Sequence, residues 1–278
     1  MKEFKCRNFS LALGKKTYIM GILNVTPDSF FDGGCYLSVK NAIEQAERMI
    51  EEGADIIDIG AVSIRPFSQK VSPEDEWGRL KDVLYEIRKR FNVPISVDTY
   101  VPFVAENSLF SGADIINDVG GVFLSEMADI IKKYGAGWVI MHGGVLNAPS
   151  ETVCEYDGGI INHVNAFFSE MLKKISAHGI SEDRICIDPG FGFSKTNEQN
   201  TMLLKDLNLI DKHSLPLLCA LSRKRFIGEL SGVETPENRL GGTVAANISA
   251  VIKGADIIRV HDVKIHKQSM AAADALFR

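Results

Sequence analysis

The chain has 278 residues, 45% hydrophobic and 24% charged, the proportions of a globular protein and not of a disordered one. A net charge of -5 gives no basis for a nucleic-acid or membrane-surface partner, and no apolar run is long enough to span a bilayer. The opening MKEFKCRNFSLALGKK lacks a secretory signal's apolar core, and Cys6, Cys35, Cys154, Cys186 and Cys219 form no CxxC pair, so a cytoplasmic protein without zinc site or disulfide framework is expected.

Eight segments carry strand patterns, in order TYIMGILN (17–24), DIIDIG (55–60), PISVDT (94–99), DIIND (114–118), GWVIMH (137–142), RICIDP (184–189), PLLCALS (216–222) and DIIRVHD (256–262). Helical spacing lies between them, as in Ala42, Ile43, Ala46, Met49 and Ile50, and again in Phe167, Phe168, Met171, Leu172 and Ile175. A GADII motif recurs at Gly53, Gly112 and Gly254. In each copy the glycine ends a helix in a left-handed conformation and the isoleucines begin a buried parallel strand. The spacings fit two and four βα units of roughly thirty to thirty-five residues. Eight such pairs without a linker predict a single-domain (β/α)8 TIM barrel. The alternative, a doubly wound open sheet, calls for GxGxxG after the first strand, where GILNVTPDSFFDGG stands instead.

Strands of such a barrel should be dry, yet these end in polar residues: Asn24, Asp58, Asp98, Asn117, His142, Asp188, Ser222 with Arg223 and Lys224, then Arg259 and His261. The C-terminal rim of a (β/α)8 barrel is where active sites are built, so the set predicts a polar ligand. Carboxylates and amides from the middle strands suit a heterocycle edge with adjacent N–H groups. The guanidinium of Arg259 can stack on a flat ring, and His261, at a helix start, suits phosphate. A flat, nitrogen-rich ring with an anionic tail satisfies all of these, although charge alone also admits a nucleotide or a sugar phosphate. Asp58 is read as a buried polar group of its strand and left outside the site. His163, His178, His213 and His266 are read as solvent-facing, and Arg88, Lys89 and Arg90 as a solvated helix face.

The stretches MGILNVTPDSFFDGG (20–34), GADIIDIG (53–60), PISVDT (94–99), GADIIND (112–118), DPGFGFSKT (188–196), LSRKRFIG (221–228) and GADIIRVHDV (254–263) resemble dihydropteroate synthases, in order and from about residue 18 onward. The resemblance implies a homodimeric barrel enzyme that joins 6-hydroxymethyl-7,8-dihydropterin diphosphate to 4-aminobenzoate and releases diphosphate. It implies that Asp188 and Asn117 bind the amino-pyrimidine edge, Asp98 the far side of the ring and Lys224 its oxo side, with Met141 lining the pocket. Arg259 would stack on the ring and, with Asn24, Arg65 and His261, hold the diphosphate. Mg²⁺ would bridge Asn24 to phosphate oxygens. Asp32 and Arg65 would close over the reacting centre as catalytic residues beside Lys224. Phe30, Ser63, Pro66, Phe193 and Arg225 would belong to the aminobenzoate side.

The match fails at GAVSIRPF (60–67), where the family pattern is GGESTRPG: Val62, Ile64 and Phe67 replace an acidic residue, a threonine and a glycine. Arg225 stands where many members have serine. These departures predict an altered aminobenzoate slot and weaker inhibition by sulfonamides. They also admit a non-catalytic pterin-binding paralogue, and the shared barrel admits a pterin-dependent methyltransferase, as alternatives.

Overall fold

A computed structural model describes residues 2–26, 35–62, 71–143, 146 and 155–278. A hairpin that the sequence reading did not foresee comes first, β1 (Glu3–Cys6) paired antiparallel with β2 (Phe9–Ala12). The eight predicted strands then follow as β3 (Tyr18–Asn24), β4 (Ile56–Gly60), β5 (Ile95–Asp98), β6 (Ile115–Asp118), β7 (Gly137–Met141), β8 (Ile185–Asp188), β9 (Leu218–Cys219) and β10 (Ile257–Val260). They form one parallel sheet in the order β8-β7-β6-β5-β4-β3-β10-β9, and a parallel bridge from Ile187 to Leu217 joins its two ends. The (β/α)8 barrel expected from the sequence is the observed fold.

Helices fill every crossover: α1 (Cys35–Glu51), α2 (Pro73–Arg90), α3 (Pro102–Phe110), α4 (Ser125–Tyr134), α5 (Ile160–Ala177), α6 (Asn197–Lys205), then α7 (Arg225–Ser231) and α8 (Leu240–Ile252) before β10, and α9 (Val263–Phe277) last. Helix α1 buries Ala42, Ile43, Ala46 and Met49, and α5 buries Phe168, Met171 and Ile175, as their spacing predicts. The start of α2 is written locally. Ser72 Oγ accepts the Asp75 N–H at 3.1 Å, Pro73 opens the helix, and three acidic residues occupy its first turn.

Strand alternation divides the barrel into three environments. Outward residues such as Ile19, Ile57, Val97, Ile116, Trp138, Ile187, Cys219 and Ile258 pack with the helices in the main core. Inward residues near the strand starts, Met20, Ile56, Ile115, Val139, Cys186, Leu218 and Ile257, form a second core with Phe4, Cys6 and Leu11 of the hairpin. The hairpin therefore plugs the N-terminal mouth. Gly137 on β7 makes room for it, since a Cβ there would lie 2.8 Å from the Phe4 ring. The next inward positions, Asp58, Asp98, Asn117, Asp188 and Arg259, are polar and occupy the opposite end.

The GADII repeat ties the barrel at its closed end. Its glycines have φ of +100°, +109° and +101°, as a helix-ending glycine should. The aspartates that follow accept backbone N–H groups from neighbouring strands: Asp55 from Ile19 at 3.0 Å, Asp114 from Ile95 at 3.0 Å and Asp256 from Leu217 at 3.1 Å. Each is also paired with a cation, Lys16, Arg88 and Lys212 respectively. Arg88 is therefore no solvated surface group, contrary to its reading from the sequence. It donates to Asp114 at 2.7 Å and to the Gly112 and Val93 carbonyls. His266 is likewise fully buried, with Nδ1 2.7 Å from the Asp262 carbonyl oxygen.

Candidate active site

The register of the sheet sets the site. Asn24 pairs with Gly60, Gly60 with Asp98, and Asp98 with Asn117, so four strands present one row across the open end of the barrel. Gly60 contributes no side chain to that row, and a Cβ there would stand 3.6 Å from Asp98 and 3.7 Å from the Asn24 amide oxygen. Asn24 is exposed at the rim, while Asn117 is buried at 3% exposure.

Arg259, on β10, reaches across the barrel to this row. Its Nε donates to Asp58 Oδ2 at 2.6 Å and its Nη2 to Asp98 Oδ2 at 2.8 Å. Asn117 Nδ2 donates to the same Asp58 oxygen at 3.3 Å. The two carboxylates occupy one edge of the guanidinium and leave the faces of its plane for a ring to stack on. Asp58 Oδ1 and Asn117 Oδ1 are buried without a protein donor, two acceptors suited to ligand N–H groups.

Asp188 approaches from β8, with Oδ1 accepting the Gly190 N–H at 2.8 Å. Gly190 has φ +70°, and a Cβ there would fall 1.9 Å from the His142 carbonyl oxygen, so only glycine permits this turn. Lys195 is buried and braces the loop, its Nζ donating to the Gly190 and Phe193 carbonyls at 2.9 and 3.1 Å. The braced Phe193 packs with Met141 and Val119 in a small apolar cluster beside Tyr100. Lys224 Nζ lies 4.4 Å from the centre of the Phe193 ring.

Three carboxylates and two cations thus share one enclosed space, and their ionisation reflects it. Burial pushes Asp98 up to about 7, offset in part by Arg259 and reinforced by Asp58. Asp188 is raised by burial against the pull of the Gly190 N–H and Lys224. Lys224 is lowered to about 8 by burial, with Asp188 acting in the other direction. Burial works against the charge of Arg259, but Asp58 and Asp98 outweigh it and the net direction is upward.

Of the residues expected at the site, the structure brings together Asp98, Asn117, Met141, Asp188, Phe193, Lys224 and Arg259, with Asn24 and the half-buried His261 at the rim. Arg225 stands apart. Its side chain is 83% exposed and pairs along α7 with Glu229, so it does not join this set of buried groups. Phe30, Asp32, Ser63, Arg65 and Pro66 lie outside the described residues.

Residues 20–261 match the family described as pterin binding enzyme. The dihydropteroate synthase of Synechocystis sp. is 41% identical over 266 residues, 95% of this chain and 92% of that protein. This chain belongs to the dihydropteroate synthase family. Among solved structures, the Xanthomonas albilineans dihydropteroate synthase with 4-aminobenzoic acid superposes with a TM-score of 0.91 at 37% identity, covering 99% of this chain and 98% of that one. The same enzyme in complex with 7,8-dihydropteroate gives 0.88 at 36% identity, over the same shares of the two chains. Each of these relatives is a dihydropteroate synthase.

Asp58, which the sequence reading left out, is hydrogen-bonded to two members of this set. It is fully buried, as that reading held, but its burial is against Arg259 and Asn117 inside the site. The signal was present in the alternation, since Asp58 and Gly60 share the inward face of β4. Asp58 is also the register partner of Ser96 on β5, another inward polar residue, two positions before Asp98.

Proposed function

We propose that this chain is a dihydropteroate synthase, condensing 6-hydroxymethyl-7,8-dihydropterin diphosphate with 4-aminobenzoate to give 7,8-dihydropteroate and diphosphate. The observation that carries the reading is the opposition of buried acceptors, Asp58, Asn117 and Asp188, to the cations Arg259 and Lys224 in one space. A 2-amino-pyrimidinone edge presents N–H donors to the first group, and an oxo group accepts from the second. Relatives solved with 4-aminobenzoic acid and with 7,8-dihydropteroate support the reading.

In this reading Asp188 and Asn117 orient the pterin by its amino edge, and Asp58 holds the Arg259 plane against which the ring lies. Asp98 closes the far side of the ring. Lys224 donates to the oxo side, its charge maintained near neutral pH by Asp188. Arg259 and His261 face the departing diphosphate and stabilise the charge that develops on it. The electron-rich ring carries the resulting cation until the arylamine attacks. Asp32 and Arg65, assigned from the resemblance, would exclude water at that point.

The expected Mg²⁺ would find an oxygen donor at the rim of the site. Among the described residues no group of three or more His, Cys, Asp or Glu is placed to cage a metal, whereas the exposed Asn24 offers a hard amide oxygen at the rim. A cation held by Asn24, substrate phosphates and water would supply charge neutralisation on the leaving diphosphate.

We also infer a homodimer. A groove of about 400 Å³ between α6 and α7 is flanked by the exposed Met202 and Leu230, apolar surface suited to a second copy. Sedimentation of the purified chain tests it. A cytoplasmic location agrees with the free cysteines Cys6, Cys186 and Cys219 and with the lack of any described helix long and apolar enough to cross a membrane. The deciding experiment for the activity is product analysis. Dihydropteroate should form only when pterin diphosphate, 4-aminobenzoate and Mg²⁺ are all present, and pterin binding without product would refute the reading.

A further inference from the structure

Lys224 and His261 sit on different loops, and nothing in the β-sheet itself fixes one against the other. Strand β9 is only Leu218–Cys219 and pairs with β10 at two positions, well short of either residue. Two side-chain links span the gap. Arg223 Nη2 and Nε donate to the two oxygens of Asp262 at 2.8 and 3.2 Å, a forked ion pair with both side chains about a quarter exposed. Ser222 Oγ lies 2.9 Å from His261 Nδ1 and also accepts the His261 backbone N–H at 3.2 Å.

Arg223 holds φ +59°, a left-handed conformation that is costly for a residue with a Cβ. Its surroundings maintain it. The Arg223 N–H donates to Thr243 Oγ1 at 3.2 Å, and its carbonyl accepts from Arg239 Nη1 at 2.9 Å. Arg239 in turn donates to the Val233 and Glu234 carbonyls. A strained residue gripped on its amide, its carbonyl and its side chain, directly before Lys224, is held for a reason that packing alone does not supply.

The Ser222 bond holds the imidazole at Nδ1, while the His261 backbone N–H donates to the same hydroxyl, so ring and backbone are anchored to one side chain.

We propose that Arg223 and Ser222 are positioning residues, a double clamp across the tips of β9 and β10 that keeps Lys224 on the ring side and His261 on the anion side of one substrate. This rests on the synthase reading for the substrate, but the clamp has a readout of its own. In ¹⁵N-histidine-labelled enzyme, with the resonance assigned through His261→Gln, His261 should show a single ring tautomer in the wild type. It should show averaged shifts in Ser222→Ala and in Arg223→Gly, which relieves the backbone strain while removing the clamp. Unchanged shifts in both variants would overturn the proposal whether or not the protein turns over.

For catalysis, Arg223→Gly should raise KM for the pterin diphosphate about 10- to 100-fold, leave KM for 4-aminobenzoate near its starting value and keep a cooperative melt. The exchanged pair Arg223→Asp with Asp262→Arg should recover part of the loss seen in Arg223→Asp alone. Equal rises in both KM values, or no recovery on exchange, would reduce Arg223 to a fold-stabilising residue. If the wild type fails to bind pterin diphosphate at all, the synthase reading falls and the tautomer measurement still decides the clamp.

Discussion

Arg259 donates its Nε–H to Asp58 across 2.6 Å, although 201 residues separate the two in the chain. The Asp58 side chain is fully buried and that of Arg259 is 16% exposed, so the pair is an interior ion pair and not a surface one. Such a pair adds little to stability compared with an apolar isostere, but removing one partner leaves the other charged and unmatched at about 3–5 kcal/mol. Because Asp98 still pairs with Arg259, Asp58→Ala should lower unfolding free energy by less than that, about 1–3 kcal/mol in urea, and abolish pterin binding by calorimetry. A variant that binds normally would remove Asp58 from the site.

The barrel was legible because its units repeat: GADII and the isoleucine pairs mark strands whatever the tertiary context, and all eight formed. Asp98, Asn117, Asp188 and Arg259 could be found because each breaks an apolar run at a strand end. Asp58 breaks one as well, but a single acid in an apolar strand does not reveal its partner, and the partner lies at the far end of the chain. The hairpin escaped notice for a different reason. EFKC and FSLA are too short to declare a period, and their apolar side chains gain meaning only from the barrel mouth they fill. Adjacency to Lys224 in sequence did not show that the Arg225 side chain runs along α7 to Glu229, because consecutive side chains diverge at a helix start.

Asp188→Ala is expected to separate binding from folding. Its carboxylate accepts the Gly190 N–H at 2.8 Å, and each charge-assisted bond to the ligand is worth roughly 1.5–3 kcal/mol. Loss of two such bonds takes pterin affinity beyond ordinary titration ranges, while the melt stays cooperative. Near-normal affinity would mean that the amino edge of the ring lies elsewhere.

The ionisation of the site predicts an unusual stability profile. Asp98 titrates near 7 in the folded chain, against an ordinary 3.8, so between those values the folded state binds more protons and stability falls as pH rises. Lys224 titrates near 8 against an ordinary 10.5, so over that interval the unfolded state binds more protons and stability rises with pH. Together the two groups favour the fold least between about pH 7 and 8, where both are in their working charge states. In urea melts, wild type should lose stability relative to Asp98→Asn from pH 4 to 7, and gain it relative to Lys224→Met from pH 8 to 10. Flat differences would show that neither group feels the enclosure.

Phe4 should behave in the opposite way to the site residues. It is fully buried in the closed mouth, among inward residues of the barrel. Phe4→Ala leaves a cavity there and should cost about 3–5 kcal/mol, with KM for both substrates unchanged in the folded fraction. A selective rise in KM would indicate coupling between the two ends of the barrel.

Sulfonamides test the departures from the family pattern one residue at a time. Arg225 is 83% exposed and, among the described residues, pairs with Glu229 one turn along α7, so Arg225→Ser should change sulfonamide inhibition by less than about twofold. The effect should reside in Ile64 and Phe67, because a threonine hydroxyl offers the aminobenzoate side a hydrogen bond that isoleucine cannot. Restoring it with Ile64→Thr should tighten inhibition about fivefold, the equivalent of one hydrogen bond of about 1 kcal/mol. Were Arg225→Ser the more sensitizing change in a dose-response assay, its side chain would have to turn inward when the arylamine binds.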